Sequence, residues 1–465
     1  MTKAYKISYC GLKLVALCIC LPALLWSCTT IIEEPVPVKE DVEHVTFTVR
    51  MPNATPQTYA MNDIAENDIR NIDVLVFRVD NATQAEYFDY RVEGSSIVTT
   101  DTNEKQFTVT LRKNDTTDCR LVFLANVRDE LTAMTMARDT RKELLLERLL
   151  SYNSGAWPVE TDTYRPFPMW GESDKVRIDD GLNLRKPNGI TLLRSVVSVE
   201  VYADNATVTP RFTLEDVYLY NRKVYGRVAP DGIKYIAVDR KVKAPSIPTV
   251  NMTLPLNVPT PLHYPVTPTE HKLTHTIYTY EADSVNSGDD FSATCLVVGG
   301  IYVPDGRKQY YRLDFMVKDS EGKFKSYHSL LRNHRYQFII NSVSGDGHNT
   351  PDSAFYGKKG NMGVEILAWN LADINNVVVK EMHMLSLNRS SLEVTGQGVF
   401  YVGVETDHPE GWTAVPEDAW ISVDKQNGYM KITLSTTAPS GGRTGYINVR
   451  AGNMTKRFKL VQKSL

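Results

Sequence analysis

Apolar and polar positions alternate along most of this chain. In Val45-Thr46-Phe47-Thr48-Val49-Arg50 the residues Val45, Phe47 and Val49 share one face and the threonines take the other, the signature of a half-buried strand. Strands are predicted in the same way at 72–77, 106–111 and 121–126, then at 192–202, 212–220, 276–281, 293–303, 310–317, 336–343 and 364–368. Only 130–150, which closes on Lys142-Glu143-Leu144-Leu145-Leu146-Glu147-Arg148-Leu149-Leu150, reads as a helix. Pro158, Pro166 and Pro168 force loop after it. Seven prolines lie between Pro245 and Pro268; proline donates nothing to a ladder, so this stretch is predicted as loop or edge strand. Residues 380–465 carry alternating strands, turn signals at Gly396-Gln397-Gly398, Gln426-Asn427-Gly428 and Gly441-Gly442, and no helical pattern. They are expected to form a separate small sandwich. The chain is therefore predicted to be mainly β.

The first residues follow a different rule. Lys3, Lys6 and Lys13 precede an uncharged run from Leu14 to Trp26, followed by Ser27 and Cys28. The apolar run is shorter than the roughly 20 residues that span a bilayer as a helix. A basic start, a short apolar core and a small residue before cysteine describe a lipoprotein signal peptide over 1–27, with Cys28 as the acylated first residue of the mature chain. An uncleaved anchor helix is the alternative. Residues 28–43 contain Glu33, Glu34, Pro35, Pro37, Glu40 and Asp41 and read as a polar tether between a membrane and the fold.

Composition narrows the function classes. The net charge of −3 over 465 residues, with 23% charged residues, argues against nucleic acid as a partner. Of six cysteines, Cys10, Cys18 and Cys20 leave with the signal, Cys28 is lipidated, and Cys119 and Cys295 are expected as separate buried thiols. No zinc spacing, nucleophile elbow, phosphate-cradling glycine loop or His-Glu-x-x-His is present, so no cofactor, no metal and no enzymatic activity is expected. His271 and His275 are four apart, a metal spacing only on a helix, in a stretch that reads as loop and strand. Asp319-Ser320-Glu321-Gly322 and Ser344-Gly345-Asp346-Gly347 fit hairpin turns better than calcium loops.

Several motifs occur in a familiar order: Val45 to Val49 followed by a polar loop, Phe123-Leu124-Ala125-Asn126, Pro168-Met169-Trp170-Gly171, Leu193-Arg194-Ser195-Val196-Val197-Ser198-Val199, Val217-Tyr218-Leu219-Tyr220-Asn221, Ile277-Tyr278-Thr279-Tyr280-Glu281 and Arg332-Asn333-His334-Arg335-Tyr336. Together they resemble the fimbrillins, the FimA-like and Mfa-like subunits of type V pili. The resemblance implies two tandem transthyretin-like β-sandwich domains, assigned to 44–205 and 206–375. It also implies that His334 is a turn and edge anchor rather than a catalyst. Residues 380–465 are similar to an immunoglobulin-like BACON domain through Leu392-Glu393-Val394, Trp412, Trp420-Ile421-Ser422-Val423, Arg443 to Val449 and Leu460-Val461-Gln462.

The fimbrillin resemblance implies a function. The first strand would occupy a groove, with Val45, Phe47 and Val49 as its plugs; a protease would free it, and another pilus subunit's strand would refill the groove by donor-strand exchange. The loop at 51–69 holds no Lys or Arg, so Arg50 is the candidate processing site and Arg70 the next basic residue. Were the strand retained, the chain would resemble an anchor subunit. A C-terminus committed to a second domain type points to a tip or accessory subunit. The chain is expected on the outer membrane at the cell surface, held by lipid on Cys28, and in the fimbrium after processing. Trp412, Trp420 and Tyr446 are candidate glycan or mucin contacts, with Trp420 read as core and Trp412 as the more exposed. The alternative is a surface lipoprotein that binds glycan or mucin and never polymerises.

Overall fold

The computed structural model describes residues 41–464 except 52–65, 102, 160–162, 183–188, 205–207, 209, 232–236, 239–240, 243–259, 267–270, 284–290, 319–323, 328, 358–359, 372–375 and 381–382. All described residues fall in the second of two compact units, Met1–Glu40 and Asp41–Leu465. The signal segment, Cys28 and most of the tether lie outside the described residues, as do the centre of the 51–69 loop and Asp319-Ser320-Glu321-Gly322.

The first ten strands are β1 (Val42–Arg50), β2 (Ile72–Val79), β3 (Glu86–Glu93), β4 (Ser95–Asp101), β5 (Glu104–Arg112), β6 (Asn114–Ala125), β7 (Leu150–Tyr152), β8 (Met169–Ile178), β9 (Ile190–Thr191) and β10 (Leu193–Arg194). Apart from β7, they form one sheet in the order β4-β5-β1-β9 and a second in the order β10-β8-β6-β2-β3. A shared core holds Val45, Phe47, Phe107, Phe123 and Phe167. Two short helices, α1 (Arg128–Ala133) and α2 (Lys142–Glu147), cover the outer side of the second sheet through Leu131, Leu145 and Leu146 against Leu75, Phe77, Val122 and Leu124. That sheet is thus buried on both faces, which explains why β2 and the end of β6 read as continuous apolar runs.

The helix predicted over 130–150 is a correction. It divides at Met134, whose backbone is extended, and resumes at Lys142. Between them Asp139 adopts φ +67 and its backbone N–H donates to Phe88 O at 2.8 Å, so tertiary contacts to β3 outweigh the local helical pattern. The last predicted turn, at Leu150, is strand β7.

The next strands are β11 (Val196–Ala203), β12 (Phe212–Tyr220), β13 (Tyr225–Arg227), β14 (Ala237–Val238), β15 (Lys241–Val242), β16 (Leu262–Pro265), β17 (Ile277–Tyr280), β18 (Cys295–Tyr302), β19 (Arg307–Asp314), β20 (Met316–Lys318), β21 (Phe324–Tyr327), β22 (His334–Val343) and β23 (Met362–Asn370). Sheets β17-β11-β22-β23 and β16-β12-β18-β19 enclose a second core around Val199, Phe212, Phe315 and Phe338. Because β11 pairs with β17 and β22, the sheets change over near Ser195, before the 205/206 position read from the sequence. β16, in the proline-rich stretch, is an edge strand. α3 (Pro351–Tyr356) starts at Thr350, whose hydroxyl accepts from Ser353 N while Ser353 Oγ accepts from Thr350 N, a capping box. His271 and His275 lie in no helix, and His334 opens a central strand rather than an edge. Cys119 and Cys295 are both free and buried.

The last nine strands are β24 (Val377–Lys380), β25 (His383–Leu387), β26 (Ser391–Thr395), β27 (Gly398–Thr406), β28 (Thr413–Pro416), β29 (Ile421–Gln426), β30 (Tyr429–Leu434), β31 (Arg443–Ala451) and β32 (Met454–Lys463). They form sheets β24-β25-β27-β30-β29 and β26-β32-β31-β28 around Trp412, Ile432, Ile447, Phe458 and Leu460. Asn427-Gly428 closes the β29–β30 hairpin, with Gly428 at φ +81, the turn chemistry that a two-residue connection needs.

Candidate strand-exchange site and the C-terminal face

β1 alternates buried and accessible side chains, and its three apolar positions are almost fully inside. Phe47 meets Phe123 edge-on at 5.1 Å between ring centroids and Phe107 at 6.1 Å. On the other face the Thr46 and Thr108 hydroxyls lie 3.3 Å apart and His44 Nδ1 is 3.0 Å from Thr110 Oγ1. Antiparallel pairing with β5 runs through every residue from Val42 to Arg50. On the opposite side β1 pairs only at Val49 and Arg50, in parallel with β9. Among the described residues, then, most of one edge of β1 carries no ladder. Departure of β1 would leave the whole edge of β5 and the Phe107 and Phe123 rings open, a groove shaped for an alternating strand. Each aliphatic or aromatic plug contributes roughly 1.5–3 kcal/mol by burial, and each ladder hydrogen bond about 1 kcal/mol net.

Arg50 combines an accessible side chain with an inaccessible peptide bond. The side chain is 52% exposed and its Nε donates to Glu104 Oε2 at 2.7 Å. Arg50 O accepts from Leu192 N at 2.8 Å, Met51 N donates to Asn103 O at 3.0 Å, and Met51 is buried. A protease needs extended, free backbone, so cutting after Arg50 would require this end of the ladder to open first.

The far end of the following loop is tied down equally firmly, by residues the sequence reading did not single out as functional. Glu66 and Asn67 are buried. Tyr278 OH donates to Glu66 Oε1 at 2.5 Å, and Asn67 Nδ2 donates to Asn103 Oδ1 at 2.5 Å. Burial, then the Glu66 charge, raises the Tyr278 hydroxyl well above its usual pKa, so it stays a donor. Buried Arg194 joins this stump to the second sandwich. Its guanidinium donates to Glu66 O at 3.1 Å, to Asn67 Oδ1, and to Asn333 Oδ1 at 3.3 Å. The signal available in the sequence was a lone arginine inside the apolar run Leu192-Leu193-Arg194-Ser195-Val196.

The C-terminal sandwich is docked on the second sandwich through a polar seam. Arg335 on β22 donates to Glu405 on β27 at 2.6 Å and lies 3.6 Å from Glu200, all three side chains being buried. Burial alone would lower the Arg335 pKa, but Glu405 and Glu200 outweigh it and hold the guanidinium charged. Gln337 Nε2 donates to Glu200 at 2.9 Å, and Lys431 on β30 reaches Asp204 at 2.9 Å. Ile339 and Leu367 pack on Tyr401 and Tyr429 beside it. The Trp369 ring fills the place a side chain would take at Gly403, so that position requires glycine.

The three candidate glycan contacts are not brought together as one platform. Trp412, expected to be the more exposed, is 6% exposed; this is a correction, and its reason is that the ring, just ahead of the short strand β28, is part of the third core, with Lys425 Nζ 5.3 Å over it. Trp420 is half-buried over Gly445, with the Arg443 guanidinium 4.0 Å above its ring. Tyr446 is also half-buried, under Arg457 at 3.5 Å, and Arg457 is held by Glu417. Among the described residues no group of three or more His, Cys, Asp or Glu side chains is placed to hold a metal ion, and no helix is long and apolar enough to cross a membrane.

Residues 44–162 match the family model of the major fimbrial subunit protein, FimA. This stretch is fimbrillin-like. The match opens inside β1 and takes in β2 to β7. Among solved structures, the chain is similar to a candidate cell adhesion protein from Bacteroides uniformis, 13% identical, covering 70% of this chain and 98% of that one with a TM-score of 0.34. It is also similar to the fimbrial anchor protein Mfa2 from Porphyromonas gingivalis, 12% identical, covering 70% and 97% with a TM-score of 0.24. Likeness at these values is no guide to function. No curated protein matches the chain.

Proposed function

We propose that this fimbrillin-like chain is a structural or adhesive subunit of a type V-like pilus, at the tip or in an accessory position, assembled by β-strand exchange. The family match supports a pilus- or adhesin-like role at the cell surface, structural rather than catalytic. The observation that carries the exchange reading is β1 itself: three buried plugs on a strand with a full ladder on one side and, among the described residues, a two-residue ladder on the other. In this reading the chain is exported as a lipoprotein through Cys28 to the outer membrane and meets other pilus subunits through the groove that β1 vacates. Since the Arg50–Met51 bond is clamped and the loop at 51–69 holds no Lys or Arg, either a protease that is not arginine-specific acts on that loop or the chain keeps its first strand. A chain that keeps β1 acts as an anchor instead. β32 pairs with β31 and, over Ser391–Thr395, with β26, so it is no free donor.

Limited proteolysis of the purified chain tests this. Loss of the segment up to the 52–65 loop, followed by a shift to higher mass on adding a partner subunit, is the expected result. Immunogold labelling against 380–465 should mark fibre ends; label along the whole shaft removes the tip assignment. A non-polymerising glycan- or mucin-binding lipoprotein is the second reading, favoured by the half-exposed Trp420 and Tyr446 rings. Glycan-array binding with no mass shift after proteolysis would decide for it.

A further inference from the structure

The two ends of β1 are held differently. At Val42 the strand pairs with β5 alone, and next to it Asp41 O accepts from Lys113 N at 2.8 Å. At Arg50 it is held from both sides: Arg50 O accepts from Leu192 N at 2.8 Å, and Met51 N donates at 3.0 Å to Asn103 O, the residue just before β5. Met51 is itself buried, a fourth apolar position in step with Val45, Phe47 and Val49. Asn103 is braced in turn. Its Oδ1 accepts from Asn67 Nδ2 at 2.5 Å, Asn67 Oδ1 accepts from Arg194, and Arg194 reaches Asn333 Oδ1, next to β22, at 3.3 Å. Beside this pair, Lys105 Nζ lies 3.5 Å from Asp68 Oδ1, and Tyr164 OH donates to Asp68 Oδ2 at 2.5 Å. Asn67 and Asp68 follow the 52–65 loop, so a cut in that loop breaks none of these bonds.

Alternation fixes which face of a strand points inward, not where the strand sits along its groove. A slip of one residue turns every plug outward, whereas a slip of two keeps the plugs inside. Excluding the second slip needs a contact at an end. We infer that Asn103, braced by Asn67 and Arg194, is a register stop for an incoming strand. The strand that fits is extended, carries four apolar residues at alternate positions, and has an N–H, not a proline, at the last of them. That N–H donates to Asn103 O, as Met51 N does. Slipped toward the Val42 end, the strand gives up this bond. Slipped the other way, it overruns β5 where Asn67 already holds the Asn103 side chain. The stop rests on the strand-exchange reading and adds to it the means by which one register is chosen; Asn103 is a positioning residue.

Disulfide trapping reads the register, because Thr46 faces Thr108, Thr48 faces Gln106 and His44 faces Thr110, and opposed strand residues lie within disulfide reach. Part of 52–65 is replaced by the recognition sequence of an added protease. After cutting, the β1 fragment is removed in urea and the chain is refolded with a peptide of residues 42–51. Thr108→Cys, Gln106→Cys and Thr110→Cys chains are compared. A peptide carrying only Thr46→Cys tests exchange itself and should be trapped at 108; no cross-link at any of the three positions would overturn the exchange reading and the stop with it. A second peptide adds Phe47→Val and Met51→Val, so that plug shape no longer selects the register. It should still be trapped at 108 at least about fivefold more than at 106 or 110, the weight of one net hydrogen bond. Asn103→Ala in the chain, and Met51→Pro in the second peptide, should each lower that preference while the first peptide is still trapped. The peptide change leaves the fold of the chain untouched. Equal yields at the three positions with the second peptide, or a preference for 108 that survives both changes, would overturn the stop and leave exchange standing.

Discussion

β1 and β32 carry the same pattern and have opposite prospects. Both alternate inward apolar with outward polar side chains, and both place a fully buried phenylalanine, Phe47 and Phe458, in a sandwich core. β1 has one continuous neighbour. β32 has two, with β31 along its length and β26 in parallel over Ser391–Thr395, and it further fixes Gln462 to Gly396 O and Thr436 O. Burial therefore does not distinguish the two strands. The number of ladders each shares does.

The comparison can be broken in several ways, taken here from the largest expected effect. Val45→Ser/Phe47→Ser/Val49→Ser should unfold the first sandwich or leave its groove open. Phe47→Ala alone should cost about 3–5 kcal/mol in urea denaturation. A synthetic peptide of residues 42–50 should restore the triple variant but should do nothing for Phe458→Ala; rescue of both, or of neither, would erase the distinction between the two strands. Glu405→Gln leaves Arg335 buried without its closest carboxylate and should cost about 3–5 kcal/mol, read as early, separate melting of the C-terminal sandwich. Replacing Arg335 and Glu405 together by Met and Leu should recover most of the loss.

The next effect is a pH dependence. Burial pulls the His334 pKa down from 6.5 to about 4, while its Nδ1 lies 3.0 Å from Arg332 O. The folded chain holds this imidazole neutral, whereas the unfolded chain protonates it below 6.5. Stability should therefore fall as pH drops from about 6.5 to about 4, by about 3 kcal/mol over the window at 1.36 kcal/mol per unit. Urea midpoints at pH 7 and pH 4.5 should converge in His334→Gln relative to the parent; an unchanged gap would show that other groups carry it. The smallest effect is expected at Arg457→Ala, on an exposed pair with Glu417, where melting curves should overlay.

Strands such as 212–220 and 336–343 were legible because a period of two with bounded turns leaves few alternatives. The 130–150 helix was misread because its centre is decided by β3, which sits far away in sequence. The burial of Val45, Phe47 and Val49 was legible, since alternation alone puts them inside. The anchors on either side of the loop were not. Glu66, Asn67 and Tyr278 become neighbours only when the first and second sandwiches meet, and Arg335, Glu405 and Lys431 only when the third docks. For Trp412 and Trp420 a local pattern could not rank exposure, because inward facing depends on where β28 begins.

The seam of Arg335, Glu405 and Trp369 also has a mechanical meaning. A pull on the C-terminal sandwich is delivered sideways into β22 and β23, in the middle and at the rim of a four-stranded sheet, and does not run only along the short connection after Asn370. Shearing that seam means separating a desolvated guanidinium from its carboxylate and sliding an indole off a glycine in one step. A cell held by this end of the molecule would hang from a riveted plate rather than from a string.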